Sequence, residues 1–360
     1  MGKEKTYNIK GIRIVLISAL IFITLVICGG CGGIGDENSA GQKSISAEGE
    51  LVAYFLDVGQ ADSTLLVSEG EAMLIDAGNY DDSKFLVRYL NELGIKSLKY
   101  IVFTHPHEDH IGAGEAVIEN FSVEKIYMLD EYDEGLEGSL KRKIQEKDIK
   151  TEAPKSGDTT YIGECSVEFL GPDKDYSDTN DDSVCLKINH GSNSMMFTGD
   201  AGSGPERAMI DAGFEMEATL LKAGHHGSSA SCSYYFLREV NPRYVVISCG
   251  KDNMYGHPHE ETLSRLNDLG AEVFRTDEQG TVIAVDDGKA ITFNCEGKKA
   301  TRPYAADKEE AKYIGNLNSK KYHLPTCSGL PEEHNRIYFM SMKKAEDAGY
   351  EPCGRCHPER

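Results

Sequence analysis

Short apolar runs alternate with amphipathic stretches between residues 51 and 294. Runs rich in β-branched residues predict strands, and apolar residues at helical spacing predict helices. Residues 83–93 and 260–269 have the helical pattern, and each segment ends at a glycine, Gly94 or Gly270. The predicted strands cover residues 52–56, 63–67, 72–75, 100–104, 125–128, 167–170, 184–189, 194–198, 219–222, 244–248, 272–275, 281–285 and 291–294. Early hairpins followed by strands separated by helices predict two mixed sheets with helices outside, an α/β (α+β) fold.

The N-terminus has the pattern of a secretory signal. Four basic residues precede an apolar stretch over residues 14–27, which is short for a membrane span of about 20 residues. Gly29 and Gly30 before Cys31 resemble a bacterial lipoprotein cleavage box, although Cys28 stands where an aliphatic residue is usual. We therefore expect residues 1–31 to be a signal or anchor, with Cys31 lipidated, and residues 32–49 to be a flexible tether. An uncleaved anchor is the alternative, and both place the chain at the outer face of the cytoplasmic membrane.

Composition narrows the possible partners. The chain has 360 residues and a formal net charge of -21, which argues against a broadly basic surface that coats nucleic acid. Residues 298–360 carry a charge of +3, so the rest of the chain carries about -24. The cysteines outside the signal and the tail are odd in number and scattered, so they do not form a disulfide framework.

Residues 104–110, Thr-His-Pro-His-Glu-Asp-His, follow directly after a predicted buried strand. Neutral imidazoles and a carboxylate are ligands for zinc or a similar first-row metal. Alternate spacing directs His105 and His107 to the same side of an extended backbone, and Pro106 excludes a helix interior. The segment therefore predicts a metal-binding loop, and the alternative is a polar loop that contains histidines by chance.

Further motifs occur in a fixed order along the chain. They lie at residues 55–62, 74–78, 180–183, 197–200, 224–228 and 253–258. With the loop at 105–110, these segments resemble the metallo-β-lactamase superfamily, and in particular the hydrolase domain of the ComEC competence family. The resemblance covers residues 50–294 and implies a four-layer αββα fold for a domain at 50–296.

The resemblance also implies a set of ligands for two metals. His105 and His107 would bind the first metal, Asp109 and His110 the second, and Asp200 would bridge the two. Either His225 or His226 would complete the second site, and the sequence does not decide between them. The first metal has no evident further histidine, because His190 falls at a predicted solvated hairpin tip. Water or residues 180–182 would then complete it.

A two-metal site implies a mechanism. Two zinc ions, or manganese ions instead, would hold a bridging hydroxide and polarise a phosphoryl oxygen for in-line attack on a phosphodiester. Asp109 would orient the nucleophile. The unligated member of the pair, with His226 among the candidates, or His257 would contact phosphoryl oxygens or protonate the leaving group. Asp76 would support the ligand loop.

The tail carries a separate metal motif. His323 and Cys327 lie upstream of Cys353 and Cys356, and together they form a tetrahedral set with no open position, which predicts one structural zinc. A disulfide between Cys353 and Cys356 is the alternative. Residues 313–358 resemble the small zinc module of Ada, with residues 297–312 as linker. His323 replaces a cysteine of Ada, so alkyl transfer is not implied.

These observations lead to a hypothesis and two alternatives. The chain is interpreted as a membrane-tethered extracellular hydrolase, a nuclease or phosphodiesterase that acts on DNA. The first alternative is a phosphodiesterase on cell-surface polymers, of the phosphorylcholine esterase type. The second is a non-catalytic lipoprotein that binds a polymer.

Overall fold

The structure is a computed structural model that describes residues 46–129, 136–295, 311–332, 336–339, 341–347 and 349–358. The predicted signal peptide and most of the predicted tether and linker lie outside the described residues. Among the helices of the described residues, none combines the length and the hydropathy needed to cross a bilayer.

The described residues of the large domain include fifteen strands. They are β1 (Leu51–Phe55), β2 (Thr64–Ser68), β3 (Glu71–Ile75), β4 (Ser97–Val102), β5 (Ser122–Tyr127), β6 (Lys150–Glu152), β7 (Thr159–Ile162), β8 (Cys165–Gly171), β9 (Cys185–His190), β10 (Asn193–Phe197), β11 (Leu220–Lys222), β12 (Tyr244–Ile247), β13 (Glu272–Arg275), β14 (Val282–Asp286) and β15 (Ile291–Asn294). Every strand predicted from the sequence is present, with bounds shifted by up to three residues. Strands β6 and β7 were not predicted from the sequence.

The strands form two mixed sheets. The first has the order β15-β14-β1-β2-β3-β4-β5-β6, antiparallel from β15 to β3 and parallel from β3 to β6. The second has the order β13-β12-β11-β10-β9-β8-β7, parallel from β13 to β10 and antiparallel beyond. Parallel strands end at one edge of their sheet, so the loops after β3, β4, β10, β11 and β12 can converge on a common site.

The described residues of the large domain include eight α-helices. They are α1 (Ser83–Glu92), α2 (Glu108–Ile111), α3 (Gly114–Asn120), α4 (Leu136–Glu146), α5 (Ser203–Asp211), α6 (Tyr234–Val240), α7 (Glu260–Leu269) and α8 (Thr276–Gln279). One core packs α1, α3 and α4 on the first sheet, and another packs α5, α6 and α7 on the second. A third core lies between the sheets, where Phe55 and Phe197 stack with ring centroids 6.0 Å apart. Three cores between four layers confirm the expected αββα architecture.

The C-terminal module has its own small sheet. Its elements are β16 (Tyr313–Asn316), β17 (Lys321–His323), β18 (Arg336–Phe339), α9 (Met342–Asp347) and β19 (Glu351–Pro352), with the strand order β18-β16-β17-β19. A separate core forms around Tyr322, Phe339 and Tyr350. The module contacts the large domain at α7, where Lys320 Nζ lies 2.9 Å from Asp268 Oδ1.

Candidate metal centre

The loop after β4 brings three imidazoles and a carboxylate to the edge of the first sheet. His105 and His110 are fully buried, whereas His107 is exposed and precedes the short helix α2. His105 Nε2 and His107 Nδ1 lie 3.0 Å apart. Nitrogen ligands that share a zinc ion at about 2.0–2.1 Å are separated by a similar distance, so this pair can hold one cation.

Asp200 follows β10 and comes from the second sheet. Its Oδ1 lies 3.3 Å from His110 Nε2, and its Oδ2 lies 3.9 Å from His105 Nε2. The backbone at Gly199 has a φ of +51°, and an added Cβ would meet Ser183 Oγ at 2.8 Å. Ser183 Oγ also accepts a hydrogen bond from the Asp200 N–H at 2.9 Å. Gly199 thus allows the close approach that places Asp200 between the imidazoles.

His225 and His226 follow β11, and both have a left-handed backbone, with φ of 51° and 52°. His226 is 2% exposed, and its Nε2 lies 3.2 Å from Asp109 Oδ2 and 3.8 Å from Asp200 Oδ2. His225 is 27% exposed, and its Nε2 lies 3.5 Å from Asp200 Oδ2. The geometry therefore places His226 in the ligand position beside Asp109. His225 is the more exposed member of the pair and lies outside the ligand groups.

Buried carboxylates orient the ligands from behind. Asp76 accepts hydrogen bonds from Thr104 N–H and Oγ1, both at 2.8 Å, and its Oδ2 lies 2.8 Å from His110 Nδ1. This arrangement matches the support role expected for Asp76. Asp62 was given no role from the sequence, but its Oδ1 lies 3.3 Å from His226 Nδ1 and its Oδ2 accepts from Lys222 Nζ at 2.7 Å. The sequence signal that could have indicated a role for Asp62 is its position in the motif at 55–62.

The electrostatics of the cluster favour a bound cation. Burial alone would lower the pKa of His226, but Asp200 and Asp62 raise it to about 10. Burial likewise opposes protonation of His110, yet Asp200 and Asp76 raise its pKa well above the ordinary value. Burial raises the pKa of Asp200, but His110 and His226 hold it well below the usual range. The cluster therefore concentrates negative charge that protons neutralise and that a metal ion can neutralise instead.

Unsatisfied buried atoms give an independent test of the fit. His110 Nε2 and Asp200 Oδ1 are buried and have no hydrogen-bond partner of suitable geometry. Buried polar atoms are rarely left without a partner unless an ion or a ligand satisfies them. Ligand atoms of His105, His110 and Asp200 lie within 4.8 Å of one another, as do those of Asp109, His110 and His226. The residues fit two neighbouring cations with Asp200 between them.

His257 lies beside this cluster and belongs to neither ligand group. Its ring centroid is 5.5 Å from that of His225 and 6.3 Å from that of His226. Burial and the charges of His225 and His226 lower its pKa to about 4. The Gly250 N–H donates to Gln60 Oε1 at 2.9 Å, which directs the Gln60 amide group toward His257 Nδ1 at 3.2 Å. Because that amide is a donor, Nδ1 accepts and the proton of the neutral ring resides on Nε2.

His190 occupies a different part of the fold. It ends β9 in the hairpin with β10, as expected, at the opposite end of that hairpin from Asp200. The expectation that it is solvated was wrong, because His190 is buried and its Nδ1 lies 3.2 Å from Asp286 Oδ2. Of the segment considered as a further ligand, Asp181 and Asp182 accept hydrogen bonds from backbone N–H groups of Gly202 and Tyr176.

The tail residues converge on a second cluster. Ligand atoms of His323, Cys327, Cys353 and Cys356 lie within 4.8 Å of one another, and the cysteines are unbridged. Backbone N–H groups of Leu324, Gly329 and Arg355 donate to the three sulfurs at 3.4 Å each. His323 Nε2 is buried without a hydrogen-bond partner. Thiolates supported by N–H groups and a free imidazole nitrogen suit zinc.

The chain belongs to the metallo-β-lactamase superfamily, because residues 56–251 match that family. This fold and the clustered ligands support a metal-dependent hydrolase. Residues 300–359 match the metal binding domain of Ada.

Curated relatives extend the comparison. The chain is 30% identical over 258 residues to ComE operon protein 3 of Bacillus subtilis, covering 66% of this chain and 33% of that protein. It is also 30% identical over 241 residues to competence protein ComA of Neisseria gonorrhoeae, covering 65% of this chain and 32% of that one. The chain thus spans about a third of the length of these relatives.

A solved structure with a similar arrangement is the metallo-β-lactamase fold protein YhfI of Bacillus subtilis. It is 17% identical, the match covers 66% of this chain and 99% of YhfI, and the TM-score is 0.45.

Proposed function

We propose that this protein is a metal-dependent phosphodiesterase that cleaves DNA at the outer face of the cytoplasmic membrane. The observation that carries the proposal is the cluster of His105, His107, Asp109, His110, Asp200 and His226, with His225 and His257 beside it but outside the ligand groups. A pair of bound cations, zinc or manganese, supplies Lewis acidity and a nucleophile at neutral pH. Similarity to competence proteins favours DNA as the phosphodiester.

The protein's own residues supply the rest of the reaction. Asp200 and Asp109, whose carboxylates lie 3.3 Å from His110 Nε2 and 3.2 Å from His226 Nε2, would supply the negative charge that holds the cations. Burial and the charges of His225 and His226 lower the pKa of His257 to about 4, which favours the neutral ring as a hydrogen-bond donor from Nε2. His225 is partly exposed beside Asp200 and is placed to contact a phosphoryl oxygen. Both histidines would thus stabilise charge that develops on the phosphate.

The proposed location depends on the N-terminal sequence, with Cys31 as the lipidated residue. Substitution Cys31→Ala should release the protein from membranes, as measured by fractionation and by incorporation of labelled palmitate. Membrane retention of Cys31→Ala without label would instead indicate an uncleaved anchor.

Cleavage assays test the activity directly. Purified protein loaded with zinc or manganese is incubated with single-stranded DNA, duplex DNA, bis(p-nitrophenyl) phosphate and choline-bearing wall polymer. We expect cleavage of DNA and of the chromogenic ester, lost in both Asp109→Ala and Asp200→Ala. Asp211→Ala is the matched control, because Asp211 lies on α5 and its carboxylate is exposed and paired with Arg207.

Each other outcome points to a different function. Release of choline phosphate without DNA cleavage would indicate a phosphodiesterase that acts on cell-surface polymers and not on DNA. Tight DNA binding that survives Asp109→Ala, with no turnover of any substrate, would indicate a binding protein and overturn the enzymatic proposal.

A further inference from the structure

Two large apolar side chains are exposed next to the metal centre. Met254 is 89% exposed and Tyr255 is 61% exposed, and both lie on the loop between β12 and α7 that also carries His257. The Tyr255 ring stacks on the His257 ring, with centroids 5.7 Å apart and planes 24° from parallel. His257 in turn stacks on His226 at 6.3 Å and 25°. The His257 ring therefore lies between the Tyr255 ring and the imidazole of His226, a member of the ligand group.

Hydrogen bonds within the loop hold this ring in place. Asn253 Nδ2 donates to the carbonyl oxygens of Gly250 and His257, and Asn253 Oδ1 accepts from the His257 N–H at 3.0 Å. His259 anchors the other side, because its Nδ1 accepts from the Ser229 N–H at 2.9 Å and its Nε2 lies 3.2 Å from the Tyr255 carbonyl oxygen. The aromatic surface is thus presented to solvent on a fixed loop rather than on a free tip.

We propose that the exposed face of Tyr255 is a stacking subsite for an unpaired nucleobase next to the scissile phosphodiester. This inference rests on the proposed function and specifies its substrate as single-stranded nucleic acid or a frayed end. Aromatic side chains bind single strands by stacking on bases without sequence preference. Inside a duplex both faces of a base are already stacked, so the subsite would select unpaired substrate.

The number of rings favours a base over a choline group. Quaternary ammonium ligands are recognised by cages of several aromatic rings. Within the described part of the chain, the Tyr255 ring stacks on His257 with one face, and the residue is 61% exposed. A single open face fits a flat base.

The test compares Tyr255→Ala and Tyr255→Phe in the full, metal-loaded protein. The matched control is Tyr161→Ala, because Tyr161 is 59% exposed but lies on the edge strand β7. Each protein is assayed on a single-stranded oligodeoxynucleotide and on a series that carries one abasic residue at each position in turn. Circular dichroism confirms folding of each variant.

We expect Tyr255→Ala to lower kcat/KM on the oligonucleotide about tenfold, with Tyr255→Phe and Tyr161→Ala close to wild type. With the abasic residue at one position, the kcat/KM of wild type should fall by a similar factor. The same abasic residue should lower the kcat/KM of Tyr255→Ala little further, because this variant already lacks the ring on which the base would stack.

The outcomes separate this inference from the proposed function. If wild type cleaves neither the oligonucleotide nor bis(p-nitrophenyl) phosphate, the proposed function itself fails. Stacking is refuted if Tyr255→Ala cleaves the oligonucleotide as well as wild type does. It is also refuted if an abasic residue lowers the kcat/KM of wild type by the same factor at every position. p-Nitrophenyl phosphorylcholine is assayed in parallel. If Tyr255→Ala lowers cleavage of this ester and leaves cleavage of the oligonucleotide unchanged, the ring holds a quaternary ammonium instead of a base.

Discussion

Asp200 is buried and yet lies within 3.9 Å of a nitrogen atom on each of four imidazoles, those of His105, His110, His225 and His226. A buried carboxylate is costly unless charged partners surround it. The imidazolium forms of His110 and His226 would be such partners, because Asp200 raises the pKa of both groups. Metal ions can replace their protons, so Asp200 couples proton occupancy to metal occupancy at a single residue.

Substitution Asp200→Asn should abolish metal-dependent hydrolysis, because the amide keeps the shape of the side chain but removes its charge. We expect a loss of at least about 100-fold in kcat/KM together with reduced metal content, measured by elemental analysis. The control variant Asp211→Asn, at an exposed position on α5, should retain both the activity and the metal content of wild type. Full metal content with low activity would restrict Asp200 to positioning.

The stability of the metal-free protein should depend on pH through His226. Its folded pKa of about 10 lies above the ordinary value of 6.5, so its contribution is complete below about pH 6.5 and is lost as pH rises toward 10. Urea unfolding of the chelated protein should therefore show falling stability across that window. His226→Gln should flatten the profile, and a wild-type profile that rises with pH would contradict the assignment.

The sequence predicted most of this centre but not the choice between His225 and His226. The two residues are adjacent in a Gly-His-His-Gly segment, and both have a left-handed backbone. Only the tertiary packing of Asp62, Asp109 and Ser248 around His226 distinguishes them. Neighbours so far apart in the chain leave no local signal, and the same is true of the contact between Gln60 and His257.

At the scale of elements, the ligands lie on loops that follow buried strands, and each loop has little room to move. Strands β4, β10 and β11 were predictable because their apolar runs are buried between helices and the opposite sheet. Strands β6 and β7 were missed because they are short edge strands with mostly exposed side chains. Such strands follow from pairing with a neighbour rather than from their own apolar pattern.

The turn after β10 should not tolerate a side chain at Gly199. In Gly199→Ala the positive φ is strained, and the new Cβ would meet Ser183 Oγ at 2.8 Å and Thr104 Cβ at 2.9 Å. We expect a loss of about 1–3 kcal/mol in the free energy of unfolding, with impaired metal binding. Gly213→Ala is the matched control, because its φ is also positive but no atom lies within 4 Å of the added Cβ. Equal losses in the two variants would exclude a steric cause at Gly199.

At the scale of the whole molecule, two metal clusters serve separate units. The zinc-type cluster of the tail lies beside a small core, and a module of this size rarely folds without a metal or disulfides. Lys320 of this module forms an ion pair with Asp268 of α7. Neither residue belongs to the metal centre of the large domain. Loss of one cluster should therefore leave the chemistry of the other intact.

Substitution Cys353→Ser should remove one zinc per chain and expose the module to proteolysis, since metal binding and folding are coupled in such units. Cleavage of bis(p-nitrophenyl) phosphate should be unchanged. Cys295→Ser is the control, because Cys295 is partly exposed, unbridged and outside the ligand groups. The Cys295→Ser protein should retain the zinc of the tail module. If Cys353→Ser loses hydrolysis as well, the two units are coupled.

The division of the hydrolase ligands between two sheets has a consequence for biosynthesis. His105 to His110 are made early, whereas Asp200 and His226 come from a much later part of the chain and meet them only when the two sheets pack together. The ligand set is therefore complete only in a chain that extends past His226 and has packed its two sheets together.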